Sequence, residues 1–125
     1  MIFKLMIVAL GGSIGAVGRY LVYLLIDKLY NGMFPWATLL VNLMGALLIG
    51  FLWGLFDKFY ISPAMRTLVF IGILGSFTTF SAFAFDILSM TKDGEIKQFI
   101  FYVLASNILG TGLAFAGFYS WKFIG

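Results

Sequence analysis

The chain contains no cysteine and no histidine among its 125 residues, and it has only five acidic and eight basic side chains. Without these residue types there is no thiolate or imidazole metal site and no Ser-His or Cys-His nucleophile pair. No other acid–base pair is evident, so we do not expect an enzyme. The basic residues form no clustered face, which argues against nucleic acid as a partner. Attraction to anionic lipid headgroups is the simpler interpretation of the net charge of +3.

Apolar residues are abundant instead: 62% of the chain is hydrophobic, and the mean hydropathy is +1.07. A soluble domain of this size could not bury so much apolar surface, so membrane lipid is the expected solvent. One helical span needs about 20 mostly apolar residues. Four helices, at about residues 3–26, 36–56, 67–90 and 98–121, use nearly the whole chain. We therefore predict an all-α membrane protein with one transmembrane domain over residues 1–125.

Small residues and one arginine distinguish the first span. Gly11 and Gly15 have the four-residue spacing that allows close helix packing, and Gly112 and Ala116 repeat it in the fourth span. Arg19 has two interpretations from sequence. Its side chain can extend to the membrane interface, or its charge can attract anions at a pore mouth.

The second span opens at Pro35, where a proline is well tolerated, and its one strongly polar interior residue is Asn42. Thr38, Asn42 and Gly45 share a helix face. Asn42 can hydrogen-bond a neighbouring helix, or its amide N–H can point into an aqueous path. The sequence leaves both interpretations open.

The third span has an unusual composition between Gly72 and Phe85. This stretch holds two glycines, four hydroxyl side chains and four phenyl rings. Glycines permit a bend, and hydroxyls can satisfy backbone groups that a break sets free. We therefore predict a third helix that is broken near its centre.

The fourth span shows polar and small residues at four-residue spacing. Tyr102, Ser106 and Gly110 follow one another in this way, with Asn107 and Thr111 one position further on. These residues form a second polar-small stripe, but the sequence does not fix which side of the helix would line a pore.

Topology points to an assembly. Four spans put both termini on one side. With Arg19 set aside, that side has four basic residues (Lys4, Lys58, Arg66 and Lys122) and the other side has three (Lys28, Lys92 and Lys97). Because the two sides are nearly balanced, the positive-inside rule favours neither orientation of the chain. Such a balance is expected for chains that insert in both orientations. Four spans enclose little space, so a homo-oligomer is expected, and C₂ dimers are the commonest closed form.

The polar groups within the spans favour an anion path. No span has a carboxylate near its centre, which a proton-coupled exporter of organic cations or an acidic cation pore would use. Phe77, Phe80 and Phe83 recur at three-residue spacing, which most often means lipid-facing or packing residues. Alternatively, their electropositive ring edges could contact a small, hard anion. A small dual-topology multidrug exporter and a non-transporting membrane subunit remain the competing hypotheses.

Three blocks of sequence stand out, in order along the chain: Gly11–Arg19, Pro35–Asn42 with Gly45, and Gly72–Phe83. Together they resemble the Fluc (CrcB-type) fluoride channels along essentially the whole chain. The resemblance implies an antiparallel, dual-topology homodimer with two fluoride pores. It would export fluoride passively across a prokaryotic inner membrane and so limit fluoride toxicity.

The resemblance also assigns roles to residues. Phe80 and Phe83 would line the pores with their ring edges, beside Asn42, and Arg19 would stand near the aqueous entrance. The backbone carbonyls of Gly75 and Thr78 would hold a structural Na⁺ on the dimer axis. Further candidate pore-lining residues are Thr79, Ser81, Tyr102, Ser106, Asn107 and Thr111.

The chain departs from the family pattern at three positions. Ser76 follows Gly75 where the family usually has a second glycine, which predicts a less free backbone at the break. Ala82 and Ala84 replace the usual Thr and Ser beside the second phenylalanine. This removes any hydroxyl contact with the ion at those two positions.

Overall fold

The computed structural model describes residues 1–124, which form helices and the turns between them, with no strands in that range. Helix α1 is Ile2–Leu29 and α2 is Trp36–Lys58. The third span, Pro63–Lys92, consists of α3 (63–77) and α4 (Phe80–Lys92), and α5 is Ile96–Phe123. All four spans are long and apolar enough to cross a membrane, so the predicted number of spans is confirmed.

The third span begins earlier than the sequence suggested, because Pro63 belongs to the helix rather than to the loop before it. Ser62 is the N-cap residue, and its hydroxyl accepts a hydrogen bond from the Met65 N–H at 3.2 Å. Pro63 takes the first helical position, where its missing N–H and fixed φ are favourable.

Helices α1 and α3 approach each other closely through glycines. A Cβ atom on Gly11 would lie 2.9 Å from the Gly72 Cα and 2.7 Å from the Leu68 carbonyl oxygen. A Cβ on Gly15 would collide with the Ile73 carbonyl and the Ser76 hydroxyl. The predicted close packing at Gly11 and Gly15 is therefore confirmed, and α3 is the partner.

Helices α2 and α5 form the second close pair. A Cβ on Gly50 would collide with the Ala114 carbonyl, and one on Gly117 would lie 2.7 Å from the Phe51 backbone nitrogen. The spacing of Gly112 and Ala116, which also permits close packing, is not used for a close contact within this chain. Both residues are exposed, and no atom lies within 4 Å of a Cβ added to Gly112, because a different side of α5 faces α2.

Candidate functional site: a helix break beside a cavity

The third span is interrupted at two residues, Thr78 and Thr79. Thr78 has φ −84° and ψ 158°, and Thr79 has φ −149° and ψ 116°, so both are extended. The predicted break is thus present, but Gly75 itself is helical, with φ −62° and ψ −31°. The expectation that Ser76 restricts the break through a lost glycine is not supported, because Ser76 lies within the helical part of α3.

Asn42 on α2 holds the break in place. Its Oδ1 accepts a hydrogen bond from the Thr79 N–H at 2.8 Å, and its Nδ2 donates to the Thr79 carbonyl at 3.2 Å. Both ends of one side-chain amide therefore bind one backbone residue. Of the two interpretations, hydrogen bonding between elements is the one seen here, while the second hydrogen on Nδ2 is still available.

The break redirects the backbone N–H groups that would otherwise bind the carbonyls of Gly75 and Thr78. In a continuous helix the Thr79 N–H would donate to the Gly75 carbonyl, and the Ala82 N–H to the Thr78 carbonyl. Here the Thr79 N–H goes to Asn42, and the Ala82 N–H donates to the Thr79 hydroxyl at 3.1 Å, which caps α4. This exchange sets free the carbonyls of Gly75 and Thr78, which the family resemblance suggested as cation ligands.

The other polar groups at the end of α3 bind the main chain. Arg19 Nε donates to the Ser76 carbonyl at 3.1 Å. The Ser76 hydroxyl donates to the carbonyls of Gly72 (2.8 Å) and Ile73 (3.2 Å). The Thr78 hydroxyl donates to the Leu74 carbonyl at 3.1 Å. Hydroxyl bonds of this kind satisfy carbonyls near a break and bend helices.

A cavity of about 410 Å³ lies beside the break, between α2, the third span and α5. It brings together residues that are far apart in sequence: Asn42, Gly45, Ala46, Ile49, Phe70, Leu74, Gly75, Thr78, Thr79, Phe80, Phe83, Ser106 and Asn107. Eight of the predicted site residues thus share one space: Asn42, Gly75, Thr78, Thr79, Phe80, Phe83, Ser106 and Asn107.

The three phenylalanines at three-residue spacing do not share one helix face, because the break falls between Phe77 and Phe80. Phe77 packs on α1, where its ring would lie 3.6 Å from a Cβ on Gly18. Phe80 and Phe83 both line the cavity, with ring centroids 5.9 Å apart and planes inclined by 47°. Phe80 is 79% exposed on the single chain, whereas Phe83 is half-buried.

Tyr102 lies behind Phe83 rather than in the cavity wall. It is fully buried, its ring centroid is 5.0 Å from that of Phe83, and its hydroxyl donates to Asp86 Oδ2 at 2.9 Å. This contact gives the Asp86 carboxylate a polar partner inside the protein. Tyr102, held by Asp86 of α4, therefore packs against Phe83 from α5.

Ser106 and Asn107 are the members of the fourth-span stripe that reach the cavity. The Ser106 hydroxyl is buried, and it has no hydrogen-bond partner among the described residues. Asn107 Nδ2 donates to the Val103 carbonyl at 2.8 Å. Thr111 is exposed and does not line this cavity, and Ser81 is exposed with its hydroxyl 3.3 Å from that of Thr79.

A π-helical turn at Ala105–Leu109 helps to decide which side chains of α5 point towards the interior. Sequence reasoning missed this turn. In an α-helix a four-residue step rotates a side chain by about 40° away from its predecessor. The wider π turn offsets this drift and keeps Tyr102, Ser106 and Gly110 towards the interior. The repeated four-residue spacing was the available signal.

Sequence reasoning also missed a hydroxyl pair between α1 and α2. Tyr23 and Thr38 lie 2.6 Å apart through their side-chain oxygens, and Thr38 is buried. Thr38 was placed on the Asn42 face, but nothing in the sequence identified Tyr23 as its partner.

Comparison with known proteins assigns the chain to a family. The family model described as "CrcB-like protein, Camphor Resistance (CrcB)" matches residues 6–118. The chain belongs to the CrcB family. The predicted resemblance is thus confirmed, over a range that includes all three sequence blocks.

Named relatives of this CrcB-family chain cover most of its length. It is 40% identical over 112 residues to "Fluoride-specific ion channel FluC" of Aquifex aeolicus, covering 89% of this chain and 90% of the relative. It is 41% identical over 111 residues to "Fluoride-specific ion channel FluC 1" of Nitrobacter hamburgensis, covering 88% of each. A relative in Allorhizobium ampelinum is 44% identical over 111 residues, covering 88% and 89%. These relatives are ion channels, in agreement with the prediction that the chain is not an enzyme.

Proposed function

We propose that this CrcB-family chain forms a passive, fluoride-selective channel that exports fluoride across a prokaryotic inner membrane and so limits its toxicity. Membership of the family and relatives named as fluoride-specific channels support the ion. Four apolar helices support a multi-pass membrane protein. The observation that carries the proposal is the cavity in which phenyl rings meet amide and hydroxyl groups beside a helix break.

The path for fluoride runs along Phe80 and Phe83 on one side and the donors of Asn42 and Ser106 on the other. A ring edge is electropositive, so rings turned edge-on can contact a small anion and narrow the path. The unpartnered Ser106 hydroxyl and the second Asn42 N–H supply hydrogen bonds that replace part of the ion's hydration shell. Thr79 and Asn107 complete the polar lining of this cavity.

The working form is an antiparallel, dual-topology homodimer with two pores. Polar and small groups at membrane depth are exposed on the single chain: Gly75, Ser81, Asn107 and Thr111, with the ring of Phe80 beside them. Polar groups are unfavourable against lipid, and a second copy would cover them. The near balance of basic residues on the two sides supports opposite orientations of the two copies.

A structural Na⁺ at the dimer axis would bind the carbonyls of Gly75 and Thr78 from each subunit. The fit rests on the break itself, since the usual hydrogen-bond donors of both carbonyls are taken up by Asn42 and the Thr79 hydroxyl. Carbonyl oxygens suit a hard cation. The ion would supply positive charge that holds two half-helix ends together.

Fluoride efflux from liposomes tests the path, with Phe80→Ile compared with Phe85→Ile. Phe85 lies on the same helix and is 67% exposed, but it does not line the cavity. We expect efflux to fall by at least about tenfold for Phe80→Ile, because an aliphatic side chain has no electropositive edge, and to stay near wild type for Phe85→Ile. Equal efflux in both variants would contradict the assignment of Phe80.

A further inference from the structure

Arg19 is turned into the protein, towards the end of α3. It lies on α1 and is half-buried, and its Nε donates to the Ser76 carbonyl at 3.1 Å. Ser76 is in the last turn of α3, one residue before Phe77, where that helix ends. A cation at this position interacts favourably with the carbonyl end of a helix and satisfies a carbonyl that has no helical partner.

The backbone carbonyls at the end of α3 differ in their hydrogen-bond partners. The Ser76 carbonyl is bound by Arg19 on α1. The carbonyls of Gly75 and Thr78, on either side of it, have lost their usual N–H donors. Arg19 therefore satisfies the Ser76 carbonyl, and it leaves the two proposed ion ligands uncovered.

Close packing reinforces this contact. Gly15 lies four residues before Arg19, on the same face of α1. A Cβ there would collide with the Ile73 carbonyl and the Ser76 hydroxyl, so α1 and this turn of α3 touch along their backbones. The Ser76 hydroxyl is itself fixed by hydrogen bonds to the carbonyls of Gly72 and Ile73. The turn has little freedom once Arg19 is bound.

We propose that Arg19 is a positioning residue for the helix break. It acts through the Ser76 carbonyl, fixing the end of α3 and thereby the geometry of the Gly75 and Thr78 carbonyls, rather than by drawing anions from water. The inference rests on the proposed sodium cradle and channel function for its role in permeation. Its effect on protein stability is independent of both.

The test compares Arg19→Gln and Arg19→Lys with Lys28→Gln, which removes an exposed charge from the last turn of the same helix. Three quantities are measured: the thermal midpoint of the purified protein, the sodium concentration that half-maximally raises this midpoint, and fluoride efflux from liposomes at several fluoride concentrations. For Arg19→Gln we expect a lower midpoint and a sodium requirement raised about tenfold or more, the factor for one lost charge-assisted hydrogen bond. Arg19→Lys should be intermediate, and Lys28→Gln should match wild type.

Two results would overturn the proposal. In one, Arg19→Gln keeps the wild-type midpoint and sodium requirement but needs more fluoride for the same efflux, which is the behaviour of an anion-attracting charge. In the other, the midpoint falls while the sodium requirement stays unchanged, which is a purely structural role. If Arg19→Gln does not fold, the same criteria are applied to Arg19→Lys, and wild-type behaviour of that variant contradicts the proposal. Absence of fluoride efflux from wild type would refute the channel function alone. The thermal midpoint and its sodium dependence would still test the role of Arg19.

Discussion

Two hydrogen bonds, of 2.8 and 3.2 Å, join the side-chain amide of Asn42 on α2 to the backbone of Thr79, which lies between α3 and α4. These two hydrogen bonds replace backbone hydrogen bonds that a continuous helix would make between α3 and α4. Because Asn42 uses the Thr79 N–H, it also sets the Gly75 carbonyl free. One residue on α2 thus stabilises the break and frees a backbone carbonyl beside it.

Replacing Asn42 with Ala should destabilise the protein and reduce fluoride efflux. The substitution leaves the Thr79 N–H and carbonyl without partners in a half-buried position, at a cost of about 1–3 kcal/mol in the free energy of unfolding. Thermal denaturation in detergent measures this loss, with Asn31→Ala in the exposed loop after α1 as the control. A wild-type midpoint for Asn42→Ala would contradict the role assigned to this pair.

Replacing Ser106 with Ala should separate stability from conduction. The Ser106 hydroxyl is buried and unpartnered among the described residues, so its removal should leave stability unchanged or raise it by up to about 1–3 kcal/mol. Efflux should nevertheless fall, because fluoride loses a donor along its path. The control is Ser13→Ala, whose hydroxyl is exposed and bonds the Ala9 carbonyl. Ser106→Ala with wild-type efflux would remove Ser106 from the pore lining.

Gly15→Ala and Gly112→Ala form a matched pair of helical substitutions. An alanine at Gly15 would collide with the Ile73 carbonyl and the Ser76 hydroxyl, whereas one at Gly112 has open space within the chain. We expect Gly15→Ala to lower the thermal midpoint and Gly112→Ala to leave the fold intact, helped by up to about 1 kcal/mol of helix propensity. Equal midpoints for Gly15→Ala and wild type would show that α1 and α3 are not in this close contact.

Removal of sodium should weaken the dimer. If the freed carbonyls of Gly75 and Thr78 hold a shared ion, exchange of Na⁺ for a bulky organic cation leaves carbonyls from both subunits uncompensated. Size-exclusion chromatography and fluoride efflux, followed through exchange and sodium return, check this. Undiminished dimer and efflux after complete exchange would exclude a structural role for Na⁺.

Hydropathy and composition were enough to predict four spans and a break in the third, because both follow from the chemistry of the residues in each span. The position of the break was less accessible. The glycines of the stretch were expected to permit the bend, yet Gly75 is helical, and Thr78 and Thr79 are extended. The deciding hydrogen bonds come from Asn42, 37 residues earlier, and a local pattern does not show such a partner.

For a similar reason, the sequence did not decide which side of α5 faces the interior of the protein. In a regular helix Tyr102, Ser106 and Gly110 drift by about 40° at each four-residue step, and the π turn at Ala105–Leu109 offsets that drift. Small residues likewise permit close contact without choosing a partner: Gly15 meets α3, but Gly112 meets nothing within the chain. Residue spacing predicts which helix faces can pack closely, and tertiary contacts decide which of those faces has a partner.

Parallel efflux of fluoride and chloride from the same liposomes containing purified wild-type protein tests the central claim most directly. The cavity combines ring edges with a few hydrogen-bond donors, an environment suited to a small, strongly hydrated anion. We predict rapid loss of fluoride, with chloride slower by at least about a hundredfold, a difference of roughly 3 kcal/mol in barrier height. Equal rates for the two ions, or no fluoride efflux above that of protein-free liposomes, would contradict the account.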